Sequence, residues 1–214
     1  MVITTKVSSE KNINLQDANQ SDVRVDYFKG RKALIKKVLH PGIPLLRNFE
    51  WWMLGREACI LQKLQHLPWV PDFLGYPDRF SFAMGYREGA TLREIDPSTL
   101  PDSFFRELTE AVEEIHKQEI VHSDLKRKEN IMVTPADSPV LIDFGAAFRL
   151  KKRFRPLNNW LYNQFKQIDK NAVAKYKQRY CSDLLSKEEL RNLNNPVFLE
   201  KVSRFGRKYI LFRD

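Results

Sequence analysis

Between Ile120 and Leu150 the chain reads IVHSDLKRKENIMVTPADSPVLIDFGAAFRL, with charged and polar residues wedged between two short apolar runs, NIMV and VLIDF. Short runs of this kind, bounded by turn residues, predict strands bound for a core. An ordinary surface loop would not carry such brackets. Any fold for this chain therefore has to bury the two runs and leave the polar residues between them facing a ligand.

The flanking sequence predicts what surrounds that unit. PDSFFRELTEAVEEIHKQEI opens with an Asp102/Ser103 cap signal and repeats apolar residues at Phe104, Leu108, Val112 and Ile115, an amphipathic helix. VRVDYF and RKALIKKV flank Lys29-Gly30 and predict a β-hairpin, with Gly30 supplying the positive φ of its turn. HPGIP at 40–44 breaks the chain, and from Asn48 onward Trp52, Leu54, Cys59, Leu61 and Leu64 stand at helical spacing, the helix being entered or interrupted around Gly55. WVPDFLGYPDRFSFAMGY predicts two further strands, and VITTKV another near the start, followed by a polar loop to residue 22. Beyond Arg155 the pattern is helical, and Ser186 with Glu189 forms a capping box for a last helix. The aromatic residues in NNWLYNQF invite a nucleic-acid reading, but Trp160, Leu161 and Phe165 fit one helix face and are expected in the core. A strand-rich part with one helix, residues 1–86, thus precedes a mainly helical part, residues 87–214, and the chemistry is expected where the two meet.

With 214 residues, 43% of them hydrophobic, the chain is long enough to bury a core without staples. Cys59 and Cys181 lack any CxxC or Cys/His spacing and are expected as reduced, mostly buried thiols, with no disulfide and no zinc. No run approaches the ~18 apolar residues of a membrane span, and MVITTKVSSE has no signal-peptide core, so a cytoplasmic protein is expected, at most peripheral to the inner face of a membrane. The formal charge of +9 is concentrated in LKRK at 125–128, RLKKRFR at 149–155 and RFGRK at 204–208. Such clusters attract phosphates on nucleotides, nucleic acid or anionic lipid, and charge alone does not choose among them.

His122, Asp124, Asn130 and the triplet Asp143-Phe144-Gly145 resemble the catalytic loop and metal loop of the protein-kinase superfamily. The resemblance implies that Asp124 orients an acceptor hydroxyl, that Asn130 and Asp143 hold Mg²⁺ on the phosphates of ATP, and that Lys126 neutralises charge on the transferred γ-phosphate. His122 would brace the loop. ALIK, from Ala33 to Lys36, is similar to the family's V-A-I-K, whose Lys grips the α/β-phosphates and pairs with a helix Glu. Lys36 and Glu57 stand in those places, with Lys37 as the alternative to Lys36. FAMGYREGATL at 82–92 is similar to the segment linking the two lobes, so Met84 would flank the adenine and the backbone of Gly85, Tyr86 and Arg87 would bond it. The fold implied is α+β and two-lobed: a small antiparallel sheet lobe with one helix beside a mainly helical lobe. The cofactors implied are ATP and Mg²⁺.

The departures from the family pattern are informative. Asn130 follows Asp124 by six positions, not the usual five; no G-x-G-x-x-G precedes Lys36; and after Gly145 no A-P-E appears before AAFRLKKRFRP leads into a helix, so a full activation segment is lacking. The pattern looks like the atypical branch of RIO-type kinases and bacterial lipopolysaccharide (Kdo) kinases, over roughly residues 23–150 and loosely to 190. The basic run Lys151, Lys152, Arg153 and Arg155 is either a solvated face or the seat of an anionic acceptor: an acidic protein segment, a phosphorylated sugar or lipid, or RNA. KVSRFGRKYILFRD at the end, with Phe205, Tyr209, Ile210, Leu211 and Phe212, is either the final packed segment or a contact with an anionic membrane. The expected activity is phosphoryl transfer from ATP to a hydroxyl of a protein Ser/Thr or a lipopolysaccharide sugar. The alternatives are a nucleotide-binding pseudokinase or ATPase-like switch docking on RNA, ribosome or membrane, and, ranked lowest for a chain this basic, an aminoglycoside- or choline-type phosphotransferase.

Overall fold

A two-residue turn at Lys29 and Gly30, both with positive φ (50° and 76°), joins strand β1 (Ser21–Phe28) to β2 (Arg31–Val38). Such turns match the twist of an antiparallel pair, and Gly30 accepts the left-handed conformation without strain. The structure, a computed structural model, describes residues 21–39, 42–150 and 155–201. The strand expected in VITTKV, most of the loop after it, the basic residues 151–153 and the C-terminal residues 202–214 lie outside the described residues.

β2 is an inner strand of a four-stranded antiparallel sheet in the order β1-β2-β4-β3, completed by β3 (Phe73–Asp78) and β4 (Ser81–Gly85). Alternation along β2 sorts its side chains between two faces. Ala33 and Ile35 join Ala83, Phe28 and Leu74 on one side, while Leu34 packs on the main core, together with Phe82 and Met84 of β4. Lys36 shares the face of Leu34 and is 8% exposed. That placement sets the site described below.

Helix α1 (Pro44–Leu64) starts earlier than the sequence suggests, with Pro44 in its first turn, and runs unbroken through Gly55. Its buried stripe is Glu50, Leu54, Glu57, Leu61 and Leu64, one residue per turn. Trp52 and Cys59, expected on that stripe, are exposed and instead line an open cavity of about 940 Å³ with Trp51, Tyr76 and Phe148. They lie seven residues apart and so form a row of their own on the other side of the helix. Cys181 is half-buried, so neither thiol is enclosed as expected.

The second part carries three short strands in the order β5-β7-β8 (Ala90–Thr91, Ile131–Val133, Pro139–Leu141), and β6 (Ile120–Val121) pairs with β9 (Phe148–Arg149). Between β5 and β6 runs α2 (Asp102–Lys117), which buries Phe104, Phe105, Leu108, Ala111, Val112 and Ile115 along one stripe. The cap expected from Asp102/Ser103 is not formed: Pro101 is the N-cap residue, without a side-chain bond, and Asp102 is already helical. Its carboxylate acts there through the positive end of the helix dipole. α3 (Arg155–Tyr180) packs against α2, with Tyr162, Ile168, Ala172, Val173 and Tyr176 buried. Trp160 is exposed, and Leu161 and Phe165 are only half-buried, so the core face expected there begins at Tyr162. α4 (Lys187–Asn194) opens on the expected capping box, Ser186 Oγ accepting from the Glu189 N–H at 3.1 Å.

One core joins the two parts, containing Leu61 and Leu64 of α1, Phe82 and Met84 of β4, Phe104 and Leu108 of α2, and Ile131, Leu141 and Phe144 near the polar loop. Among the described residues no helix is long and apolar enough to cross a membrane. At the end of the strip joining β4 to β5, Gly89 has φ of +145°, and a Cβ there would stand 2.2 Å from the Val133 carbonyl oxygen. Gly89→Ala is expected to lower stability by about 2–4 kcal/mol, read as a lower denaturation midpoint at unchanged slope.

Candidate active site

Lys36 Nζ stands 2.8 and 3.0 Å from the two carboxylate oxygens of Glu57 and 3.0 Å from Asp143 Oδ1. Three elements meet there: β2 supplies the lysine, the inner stripe of α1 the glutamate, and the turn after β8 the aspartate. A carboxylate as enclosed as Glu57 is tolerated only with a cation in contact. Asp143 has left-handed backbone (φ 59°, ψ 70°), a region that Asp enters more readily than most residues, and this turn aims its side chain back at the lysine. Phe144 is then buried, and Gly145 leaves room: a Cβ there would lie 3.3 Å from Asp143 Oδ1 and 3.7 Å from Glu57 Oε2.

Burial works against the charge on Lys36, yet Glu57 and then Asp143 outweigh it and raise its pKa. Burial also pushes the Glu57 carboxyl above its usual range, with Lys36 pulling the other way and Asp143 adding to the rise. The two directions describe one cluster in which a single ammonium serves two carboxylates. Lys36 is charged, and the cluster as a whole is short of positive charge.

The loop between β6 and β7 is shaped from behind. Asp169 of α3, fully enclosed, accepts from the His122 N–H at 2.7 Å and the Ser123 N–H at 2.8 Å, and its Oδ2 lies 3.2 Å from His116 Nε2. Ser123 has φ of 71°, a strained conformation for serine that these bonds stabilise. His122 Nε2 donates to the Ile142 carbonyl at 2.9 Å, and its ring packs on Phe144, so it braces the loop against the turn that carries Asp143. Tyr176 donates to the carbonyls of Leu125 and Lys126 at 3.0 and 3.2 Å. At the front, the Asn130 amide donates to the Asp124 carbonyl and to its Oδ2 at 2.9 and 3.2 Å. Burial raises the Asp124 pKa, against the pull of Arg127, His122 and Asn130, and the charge of Asp143 adds to the rise.

The structure therefore gathers Lys36, Glu57 and Asp143 in direct contact, and Asn130 with Asp124. Lys37 is exposed on the opposite face of β2, which leaves Lys36 as the inward lysine. Lys126 extends instead to Glu200, 3.4 Å away. Met84 is buried between Leu34 and Phe73 in the sheet register, and the N–H groups of Gly85 and Tyr86 donate to the Asp72 and Lys32 carbonyls at 2.8 and 3.2 Å, so those two amides are engaged within the protein. The Arg87 guanidinium reaches the Val70 carbonyl at 3.1 Å and lies 3.7 Å from Asp72. The donor set suits Mg²⁺: Asp143 and Asn130 offer hard oxygen ligands, and Mg²⁺ bound with a nucleotide takes only one or two from protein. A cage of three or more His, Cys, Asp or Glu is absent among the described residues.

Sequence reasoning missed Asp169, Tyr176, Glu200 and Arg56, whose Nη2 donates to the Ala147 carbonyl just past the Asp143-Phe144-Gly145 turn at 2.8 Å. Asp169 had a signal, since it is an acid set among the apolar positions Ile168, Ala172 and Val173. Asp169→Asn keeps the shape but loses charge-assisted bonding to two backbone N–H groups. It is expected to cost about 3 kcal/mol, seen as a drop of several degrees in thermal midpoint.

Comparison with known proteins returns the protein kinase domain family, matched over residues 31–166. The probable serine/threonine-protein kinase KIN1 homolog of Encephalitozoon cuniculi is 29% identical over 142 residues, 63% of this chain and 21% of that protein. Serine/threonine-protein kinase D of Synechocystis sp. is 35% identical over 101 residues, 44% of this chain and 20% of that protein. The chain thus spans about a fifth of the length of these curated relatives. Among solved structures, the Rio2 kinase–ADP/Mg²⁺–phosphoaspartate complex from Chaetomium thermophilum shares the fold with a TM-score of 0.57 at 14% identity, over 80% of this chain and 56% of that one.

Proposed function

The chain belongs to the protein kinase family, and on that premise we propose that it transfers the γ-phosphoryl group of ATP to a hydroxyl, of a protein Ser/Thr side chain or of a lipopolysaccharide sugar. The observation that carries the reading is the convergence of buried Lys36 and Glu57 with the half-buried Asp143 in one cluster, drawn from three separate elements. Lys36, held straight by Glu57, would present its ammonium to the α/β-phosphates. Asp143 and Asn130 would hold Mg²⁺, which when bound would supply the positive charge that the cluster lacks and offset the negative charge of the phosphates. The Rio2 kinase solved with ADP and Mg²⁺ supports the choice of cofactors.

We assign the adenine to the strip joining the two lobes, with the boundary at residue 86 and residues 1–86 and 87–214 as the two sides. Met84 would flank the base. Since the Gly85 and Tyr86 N–H groups are engaged elsewhere, the Gly85 carbonyl and the Arg87 N–H would bond it. Asp124 would accept a hydrogen bond from the acceptor hydroxyl and orient its oxygen, the Asn130 amide fixing the carboxylate. Lys126 would offset charge on the transferring group.

Asp124→Asn is expected to lower kcat by about 10²–10⁴-fold while leaving nucleotide affinity unchanged, measured with labelled ATP against protein and lipopolysaccharide core-sugar acceptors in parallel. Turnover indifferent to the change would point to a nucleotide-binding switch. Because Asp124 acts ionised and burial raises its pKa, activity should be lost as pH falls, at a pH above the ordinary aspartate value of about 3.9. An acid limb of kcat/KM at or below that value would contradict the role.

A further inference from the structure

Glu200 comes back to the catalytic loop from beyond α4, near the end of the described chain. Its side chain is wholly enclosed, and it accepts from Lys175 Nζ at 2.7 Å and Asn171 Nδ2 at 2.9 Å, both on α3, with Lys126 Nζ at 3.4 Å. Lys126 is two residues past Asp124, and its backbone carbonyl already accepts from Tyr176 of α3. Both ends of Lys126 are therefore referred to the same helix: the main chain through a tyrosine hydroxyl, the ammonium through a carboxylate that α3 clamps.

We propose that Glu200 is a positioning residue for phosphoryl transfer, anchoring the ammonium of Lys126, two residues past Asp124 on the same loop, so that its charge is in place when negative charge builds on the transferring group. The proposal rests on the kinase reading above. A lysine side chain has four rotatable bonds and loses much entropy when ordered, so an anchor present before the nucleotide arrives removes that cost from the reaction step. The geometry distinguishes an anchor from a competitor. Lys175 and Asn171 hold the carboxylate more closely than Lys126 does, and Lys126 is 31% exposed while Glu200 is 0% exposed. The ammonium can lean toward a phosphate, whereas the carboxylate stays seated. Bonds from Lys175 and Asn171, with the charge of Lys126, outweigh burial and hold the Glu200 carboxyl down to about 2, so it remains ionised at any working pH.

The test is a double-mutant cycle on phosphoryl transfer in the full chain. Glu200→Gln keeps the side-chain shape and removes the charge; kcat is expected to fall about tenfold with the KM for ATP unchanged. In a Lys126→Ala background the same change should have no further effect on transfer, because the proposed influence of Glu200 on that step runs through Lys126. A purely structural Glu200 would instead give additive losses in the two backgrounds. Should Glu200→Gln not fold, Glu200→Asp withdraws the charge by one methylene, with the same loss and the same non-additivity expected. Additive losses, an unchanged kcat, or a raised kcat, which would mark Glu200 as a competitor for Lys126, overturn the proposal. Wild-type transfer abolished by Asp124→Asn but untouched by Glu200→Gln overturns this inference alone. No transfer by the wild type overturns the kinase reading with it.

Discussion

The contact on which the rest of this structure depends is the ammonium of Lys36 lodged between two carboxylates. Neither carboxylate is its neighbour in sequence, since Glu57 and Asp143 lie 21 and 107 residues away. Each of the three groups would be costly to enclose alone. The sheet, α1 and the turn after β8 are therefore obliged to come together, and the register of each is set by the need to point one side chain at a common place. On β2 this fixes the inward face as that of Leu34 and Lys36. On α1 it fixes the stripe through Glu50, Leu54, Glu57, Leu61 and Leu64, within a helix that continues through Gly55. At the turn it holds an aspartate in left-handed backbone.

A second buried acid does for the loop between β6 and β7 what that cluster does for β2, α1 and the turn after β8. Asp169 binds two successive backbone N–H groups and a histidine from the core of α3, and Tyr176, two turns on, binds two carbonyls of the same loop. The loop is polar and strained at Ser123, yet its shape is dictated by a rigid helix. This answers the puzzle of a charged segment bracketed by core strands: the strands supply the walls, the helix the back, and Asp124 and Asn130 are left at the front.

Much of the site was legible in the sequence because its groups stand at short, fixed spacings with particular chemistry, as from His122 to Asn130 and from Asp143 to Gly145. The hairpin at Lys29-Gly30 and the capping box at Ser186 were legible because turn and cap chemistry is local. Periodicity was less decisive. It announced a helix around Trp52 and Cys59 but could not say which of two rows faces inward, and only the demand of Lys36 for Glu57 settles that. Asp102 was misread because Pro101, already extended, takes the cap position. Trp160 was misread because an aromatic residue on a helix can as well stand at the margin of a core as within it. Glu200 was illegible for a different reason: an acid near the end of the chain has no local signal that ties it to a lysine 74 residues earlier, and only the fold brings them within 3.4 Å.

Arg56 and Glu57 are consecutive on α1 and act at the two ends of the turn that runs from Asp143 to Ala147. Glu57 holds Lys36 in front of Asp143, while Arg56 holds the Ala147 carbonyl behind it. Successive residues on a helix are about 100° apart, so any roll of α1 that releases one grip strains the other. The helix and the turn are thus tied together twice, through two successive residues of α1. The aromatic outer surface of α1, where Trp52 stacks on Arg56, is therefore one side chain away from the Ala147 carbonyl and one residue away from the Lys36 cluster.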